Sequence, residues 1–142
     1  MKKLNFSVRI NAPREKVWNV LWGDDTYLQW TKPFGEGGKV VTDNWKEGSK
    51  VLFLGADGSG MFSTVASNKP NEYMSFKHLG EMKEGKEQPA SDWAGSMENY
   101  TLKDANGGTE LLVDMDVAEE YEEMFSGIFP KALNIVKELS EN

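Results

Sequence analysis

One amphipathic helix dominates the carboxy-terminal end of the pattern of hydrophobic and polar positions. Between residues 118 and 142 large apolar residues recur every three or four positions, and most other positions are Glu, Lys, Ser or Asn. A helix with a single apolar face is marginally stable alone in water, so we expect this face to pack on a broad apolar surface. The apolar positions are Tyr121, Phe125, Ile128, Ala132, Ile135, Val136 and Leu139.

Two residues inside this predicted helix disfavour helical structure. Gly127 costs about 1 kcal/mol and an interior proline such as Pro130 costs about 3 kcal/mol. The apolar spacing nevertheless continues in phase from Ala132 to Leu139. We therefore predict one helix with a bend between Ser126 and Pro130, and two short helices separated by a break are the alternative.

The amino-terminal pattern predicts a strand followed by two short helices. Phe6, Val8 and Ile10 alternate with polar residues, which is the two-residue period of a strand with one buried face. Apolar positions between 17 and 22 give the first helix its buried side. Asp24 and Asp25 are typical N-cap residues for the second helix. Its predicted buried residues are Tyr27, Leu28 and Trp30.

The rest of the chain reads as consecutive strands joined by short turns, which require antiparallel pairing. The fold class is therefore α+β, with a curved antiparallel sheet of six to seven strands around the long C-terminal helix. Residues 80–92 form a long polar segment and predict a mobile flap or a functional rim. The predicted strands after the helices cover residues 39–45, 50–54, 61–66, 73–79, 96–102 and 109–117.

Composition narrows the possible function. A length of 142 residues fits a single domain over 1–142. The net charge of −7 and the lack of a clustered basic stretch argue against a nucleic-acid partner. Absence of cysteine suits a reducing compartment, and no segment reads as a signal peptide or as a membrane span. We expect a cytoplasmic protein that carries no cofactor.

Four short stretches together resemble the activator-of-Hsp90-ATPase-homologue-like family of the START/Bet v 1-like (SRPBCC) superfamily. They are FSVRINAPREKVW at 6–18, WT at 30–31, WKEGSK at 45–50 and PNE at 70–72. The resemblance implies the helix-grip fold, in which the sheet wraps the C-terminal helix and leaves an apolar cavity between them. It implies no shared catalytic set. Because eukaryotic members stimulate a chaperone ATPase, it also implies an Hsp90-type chaperone as a possible partner.

Three polar residues on neighbouring strands are candidates for chemistry. His78 is the single histidine, and strand alternation places it on the same face as Met74 and Phe76. Glu98 and Tyr100 share one face of the next strand. Inside an apolar pocket the three could act as an acid–base group. The alternatives are a fully hydrogen-bonded or strand-end histidine and a buried polar pair with water.

Two further motifs do not predict a metal or a phosphate site. Asp114 and Asp116 lie on one strand face directed to solvent, and a metal ion needs more converging ligands than these two. Gly55, Gly58 and Gly60 lie between two strands and open no helix, so they predict a hairpin. We expect no metal.

The surplus of aromatic residues gives the main indication of function. Seven Phe, five Trp and four Tyr suit the walls of a ligand cavity, and a solid aromatic core is the alternative. We predict binding of a hydrophobic or amphipathic small molecule, with loops 34–38 and 80–92 at the mouth. The alternatives are a module that regulates an Hsp90-type chaperone ATPase and a polyketide-cyclase-like enzyme. The candidate ligand-binding residues are Trp18, Trp22, Trp30, Phe34, Phe53, Phe76, His78, Trp93, Tyr100, Phe125 and Phe129.

Overall fold

A computed structural model describes residues 1–89 and 93–142, and within them eight strands form one antiparallel sheet. The sheet order is β1-β8-β7-β5-β4-β3-β2, and β6 pairs with β5. Most strands that follow one another in the sequence pair through short turns, as predicted. Strand β1 instead pairs with β8, which lies near the other end of the chain. The strands are β1 Lys2–Ile10, β2 Lys39–Val41, β3 Lys50–Leu54, β4 Gly60–Lys69, β5 Tyr73–Lys83, β6 Lys86–Glu87, β7 Met97–Ala105 and β8 Gly108–Val117.

Two short helices follow β1, and a long helix follows β8. They are α1 Arg14–Trp22, α2 Asp24–Trp30 and α3 Glu122–Glu141, with 3-10 turns at Lys32–Phe34 and Glu119–Tyr121. The α+β arrangement predicted from sequence is confirmed, with one strand more than expected. Because α3 continues through Pro130 without interruption, the alternative of two separate helices is wrong. The bend stays a prediction.

The buried face of α3 differs in part from the predicted stripe. Its most deeply buried apolar residues are Phe129, Ala132, Leu133 and Val136, which pack toward β1 and α1. Tyr121 is exposed, since it belongs to the 3-10 turn that precedes the helix and so lies out of phase with it. The helix thus lies against the sheet on a face rotated from the predicted one.

The structure of the second helix, α2, differs from the prediction in its N-cap and in one predicted buried residue. Gly23 occupies the N-cap position, and the two aspartates follow in the first turn, where they still face the unpaired N–H groups. Leu28 is exposed, whereas Tyr27 and Trp30 turn toward the core. Residues three apart share a helix face and adjacent ones do not, which explains why Leu28 is excluded.

The segment predicted as strand 39–45 pairs only as far as Val41. Asn44 and Trp45 have φ values of 52° and 57°, which no strand residue adopts. The backbone N–H of Trp45 donates to Thr42 Oγ1 at 3.0 Å, and the indole N–H donates to the Trp22 carbonyl at 2.9 Å. The turn therefore delivers the Trp45 ring into the core.

The polar segment 80–92 is more regular than its composition suggested. β5 runs to Lys83 and turns back into β6 through Glu84 and Gly85, whose φ values of 50° and 83° fit a two-residue hairpin turn. The expectation of an irregular loop is wrong for residues 80–87. Glu-Gly is not among the common turn pairs, so the local hairpin signal at these residues is weak. Residues 90–92, which belong to the same predicted loop, lie outside the described residues.

Candidate ligand pocket

A pocket of about 460 Å³ lies between the sheet, α2 and the start of α3. Trp18 of α1, a predicted ligand-binding residue, does not line it and packs edge-on against Trp22 at 6.1 Å between ring centroids. The other predicted ligand-binding residues all line the pocket, although their role in binding stays a prediction. They are Trp22, Trp30, Phe34, Phe53, Phe76, His78, Trp93, Tyr100, Phe125 and Phe129.

Trp22 holds one wall of the pocket together. The centroid of its ring lies 5.0 Å from that of Trp45, 5.1 Å from that of Tyr100 and 5.5 Å from that of Phe76. The rings meet in edge-to-face or tilted arrangements. Trp30 is fixed by an indole N–H bond to the Leu21 carbonyl at 3.0 Å. The aromatic residues therefore form a packed core and the wall of a pocket at once.

Four side chains form a continuous hydrogen-bonded polar cluster, consisting of Ser63, His78, Glu98 and Tyr100. Ser63 Oγ lies 2.6 Å from His78 Nδ1, and His78 Nε2 lies 2.9 Å from Glu98 Oε1. The Tyr100 hydroxyl donates to the second carboxylate oxygen, Glu98 Oε2. Both ring nitrogens of His78 are thus satisfied, and the histidine still borders the pocket.

Strand pairing brings the polar cluster together. Ser63 of β4 is directly opposite His78 of β5, next to a bulge at Leu79. Glu98 of β7 pairs with Phe76, so His78 is its diagonal neighbour on the same face. Tyr100 follows Glu98 by two residues and projects from that face as well. Alternation thus places all four groups on the inner side of the sheet.

The two tyrosines beside Glu98 are held in their neutral form. Burial first, and then the negative charge of Glu98, raise the pKa of Tyr100 well above its usual value. Burial and the same charge raise the pKa of Tyr27 on α2. Both phenols therefore remain hydrogen-bond donors at neutral pH, and both line the pocket.

Sequence reasoning did not select Ser63 and Tyr27 as site residues. A signal for Ser63 existed, because alternation along the predicted strand 61–66 places it on the same face as Met61 and Val65. Tyr27 was expected to be buried, but its proximity to Glu98 joins α2 to a distant strand. Only the folded chain brings the charge of Glu98 near enough to raise the pKa of Tyr27.

The order Ser63, His78, Glu98 has the composition of a nucleophile, base and orienting acid, but its geometry excludes that use. Ser63 is 0% exposed and is not among the residues that line the pocket, so a bound molecule cannot reach its hydroxyl. His78, Glu98 and Tyr100 do line the pocket. The polar cluster can therefore bind a polar group or exchange a proton with one, but Ser63 cannot attack it.

The mouth of the pocket carries exposed apolar side chains. Phe34, Tyr121 and Met124 are 39%, 41% and 48% exposed, and all three line the pocket. The Phe34 ring meets Phe129 of α3 at 5.0 Å. The 34–38 loop thus borders the opening, whereas from the predicted 80–92 loop only Glu81 lines it within the described residues.

The other two sequence motifs are structural. The glycine-rich segment connects β3 and β4 as the predicted hairpin, in which Asp57 Oδ1 accepts the Ser59 N–H at 2.9 Å, a bond that lowers the pKa of Asp57. Asp114 and Asp116 are half-buried rather than open to solvent, because they accept bonds from Asn99 Nδ2 and the Met97 N–H. Among residues 1–89 and 93–142, no group of three potential metal ligands lies together.

No family model matches the sequence, and no curated protein matches it significantly. Solved structures do match. The Aha1 dimer from Colwellia psychrerythraea has a TM-score of 0.73 at 19% identity, over 99% of this chain and 97% of that one. Protein MLL2253 from Mesorhizobium loti has a TM-score of 0.72 at 18% identity, over 97% and 96%. DynU16, from the dynemicin biosynthetic locus, has a TM-score of 0.72 at 14% identity, over 97% of this chain and 46% of that one.

At these identities the likenesses define the fold alone. The chain has the helix-grip fold, with the sheet around a long C-terminal helix. The resemblance to the activator-of-Hsp90-ATPase-homologue-like family of the START/Bet v 1-like superfamily stays a prediction, as does the cytoplasmic location. In the described part of the chain, no helix is both long and apolar enough to cross a membrane.

Proposed function

We propose that this protein binds an apolar or amphipathic small molecule in the pocket between the sheet and α3. The supporting observation is a pocket of about 460 Å³ with aromatic walls and one polar cluster in its lining. Ligand sites in proteins have volumes of about 300–1,000 Å³ and combine apolar walls with a few oriented polar groups. The pocket has both properties.

The distribution of polarity favours an amphipathic ligand. Phe53, Phe76 and Phe129 offer apolar contact, whereas Glu98 and Tyr100 of β7 offer hydrogen-bond acceptors. Exposed Phe34 and Met124 at the mouth give an apolar molecule a surface for entry. The apolar body of a ligand would lie along the rings, with its polar group at the cluster.

Ligand titration with a pocket-filling variant tests this function. We expect at least one lipid, sterol or aromatic polyketide to change the tryptophan fluorescence, because Trp22, Trp30 and Trp93 line the pocket. Ala118→Phe places a ring in the lining of the pocket. It should weaken the binding of that ligand about tenfold or more, because the added ring occupies part of the space that the ligand needs. Isothermal calorimetry measures the affinity.

Ala66→Phe is the matched control, because Ala66 is exposed on β4 and does not line the pocket. It should bind as the unmodified protein does. An unchanged affinity in Ala118→Phe would place the ligand elsewhere and contradict the proposal. Failure of every compound in the panel would contradict it as well.

The polar cluster supports a second candidate, a polyketide-cyclase-like enzyme. Glu98 lines the pocket, and its carboxylate, which His78 and Tyr100 hold in place, can accept a proton from a bound substrate. A polyketide that binds but emerges unchanged, followed by absorbance and mass spectrometry, would argue against catalysis. The chaperone alternative also stays a prediction, and an ATPase assay with the cognate Hsp90-type chaperone tests it.

A further inference from the structure

The Glu98 carboxylate lies at the pocket wall without a cationic partner. Its side chain is 16% exposed, and its two oxygens accept bonds from His78 and Tyr100. The lysine and arginine ion pairs of the described residues involve other carboxylates. A carboxylate removed from water is costly unless a positive charge or enough hydrogen bonds compensate it.

The hydrogen-bond pattern around His78 fits its neutral form. In that form the Ser63 hydroxyl donates to Nδ1, and Nε2–H donates to Glu98. A doubly protonated ring would require Ser63 to accept, and its own hydrogen would need another acceptor. The Ser63 side chain is fully buried, and its hydroxyl makes no other hydrogen bond within the described residues. With His78 neutral, the Glu98 carboxylate has two hydrogen-bond donors but no positive charge beside it.

Aromatic rings pack around Tyr100, the residue that donates to this carboxylate. Tyr100, which donates to Glu98, meets Trp22 at 5.1 Å and Trp30 at 6.3 Å, and Tyr27 meets Trp30 at 5.4 Å. All four rings line the pocket. The faces of Trp and Tyr rings attract cations, most strongly where water is excluded. A cation near Glu98 would thus gain from the carboxylate and from the rings.

Negative charges outnumber positive ones among the other described residues that line the pocket. Glu81 and Asp116 also line it, and Lys39 is the basic residue among the described lining. The acidic residues between 119 and 123 follow at the mouth, and the whole chain carries a net charge of −7. This field attracts positive ligands and repels anionic ones such as fatty acids.

We infer that the pocket selects a cationic amine carried on an apolar or aromatic body, an inference that rests on the proposed ligand-binding function. The ammonium group lies against Glu98 and the rings of Tyr27, Trp22 and Tyr100. The apolar body extends along Phe53 and Phe76 toward the mouth. A ligand of the same shape with a carboxylate in place of the amine binds more weakly, because Glu98 repels it.

Three probes with one apolar body and different head groups test this inference. They are 4-phenylbutylamine, 4-phenylbutanol and 4-phenylbutyrate, titrated by calorimetry at pH 7 and low salt. We expect the amine to bind more tightly than the alcohol, and at least about tenfold more tightly than the carboxylate. Glu98→Gln should lower the affinity for the amine about tenfold and change the affinity for the alcohol by no more than about twofold. The substitution removes the negative charge and keeps the shape of the side chain.

Glu110→Gln is the control, since Glu110 is exposed on β8 and does not line the pocket. It removes one negative charge from the chain and should leave the preference for the amine unchanged. If Glu98→Gln does not fold, added salt on the unmodified protein serves instead. Salt should weaken the amine more than the alcohol, and equal salt dependence of the two would overturn the inference.

The outcomes separate the ligand class from the pocket itself. If all three probes bind equally and Ala118→Phe weakens all three, the pocket is a ligand site but the preference for amines is wrong. If none binds, the preference for amines is overturned, and the panel of lipids, sterols and polyketides decides the pocket independently. Tighter binding of the amine, lost in Glu98→Gln, supports both.

Discussion

At the residue scale, Tyr100 joins the apolar and polar parts of the pocket. Its ring packs against Trp22 and Phe76, and its hydroxyl donates to Glu98. Ionising this phenol would place a second negative charge beside the carboxylate in a buried site. Burial and that charge together raise its pKa, and Tyr27 responds to the same two causes.

Alkaline titration tests whether the pKa values of Tyr27 and Tyr100 are raised. An unfolded tyrosine ionises near pH 10, so the folded state retains protons that the unfolded state releases. The contribution of these two tyrosines to the free energy of unfolding should be fully present below about pH 10 and should fall as the pH rises above that value. We expect the phenolate absorbance of Tyr27 and Tyr100 to appear only together with alkaline unfolding, measured at 295 nm and by circular dichroism.

Tyr100→Phe is the matching variant, since it keeps the ring and removes the ionisable group. Its absorbance step at unfolding should be smaller by one tyrosine. Phenolate absorbance from Tyr100 while circular dichroism still shows a folded protein would contradict the burial of its hydroxyl.

At the element scale, two glycines should respond in opposite ways to the same substitution. Gly127 in α3 has open space where a Cβ would lie, so Gly127→Ala should raise the free energy of unfolding by about 0.5–1 kcal/mol through helix propensity. A Cβ at Gly60 would lie 1.9 Å from the Phe53 carbonyl oxygen. Gly60→Ala should lower the free energy of unfolding by about 2 kcal/mol or more.

Urea denaturation followed by circular dichroism measures both changes. The two variants differ only in where one methyl group is added, so each serves as the control for the other. Stabilisation of Gly60→Ala would mean that β3 and β4 do not approach as closely as the structure shows. A destabilised Gly127→Ala would mean that this turn of α3 is not helical.

The same scale shows why element boundaries were harder to predict than elements. The strand signal of residues 39–45 was interrupted by Asn44 and Trp45, which adopt positive φ so that the Trp45 indole can bond Trp22. The energy of that buried contact belongs to the tertiary structure and overrides local strand preference. The β5–β6 hairpin was missed for the opposite reason, because its Glu84-Gly85 turn carries a weak local signal.

At the scale of the whole molecule, packing of α3 against β1 joins the two ends of the chain. Leu133 is buried at that contact, next to Phe6 and Val8. Leu133→Ala should lower the free energy of unfolding by about 2–5 kcal/mol, because it leaves a cavity between helix and strand. Lys131→Ala, on the exposed side of the same turn, should change it by less than about 0.5 kcal/mol.

Urea denaturation with both circular dichroism and tryptophan fluorescence measures this effect. The two signals should shift together, since α3 and the aromatic wall form one core. A loss of helix signal at unchanged fluorescence midpoint would show that α3 separates from the sheet independently. That result would contradict the conclusion that α3 and the sheet form one cooperative core.

The sequence by itself determined most of the elements and which strand residues share a face. Two-residue alternation put His78 with Phe76 and Glu98 with Tyr100, and short turns predicted antiparallel pairing. These properties follow from backbone geometry, which repeats at every residue and can be read locally. The candidate ligand-binding residues came from the surplus of aromatic residues.

Only the tertiary structure decided which of those groups meet. The bond between His78 and Glu98, the inaccessible Ser63 and the approach of Tyr27 to Glu98 depend on register, a bulge at Leu79 and the docking of α2. Such contacts join residues that are far apart in the chain, and their energies depend on burial and on charges brought together by folding. No local pattern contains that information, and so the pocket's polar cluster emerged from the folded chain alone.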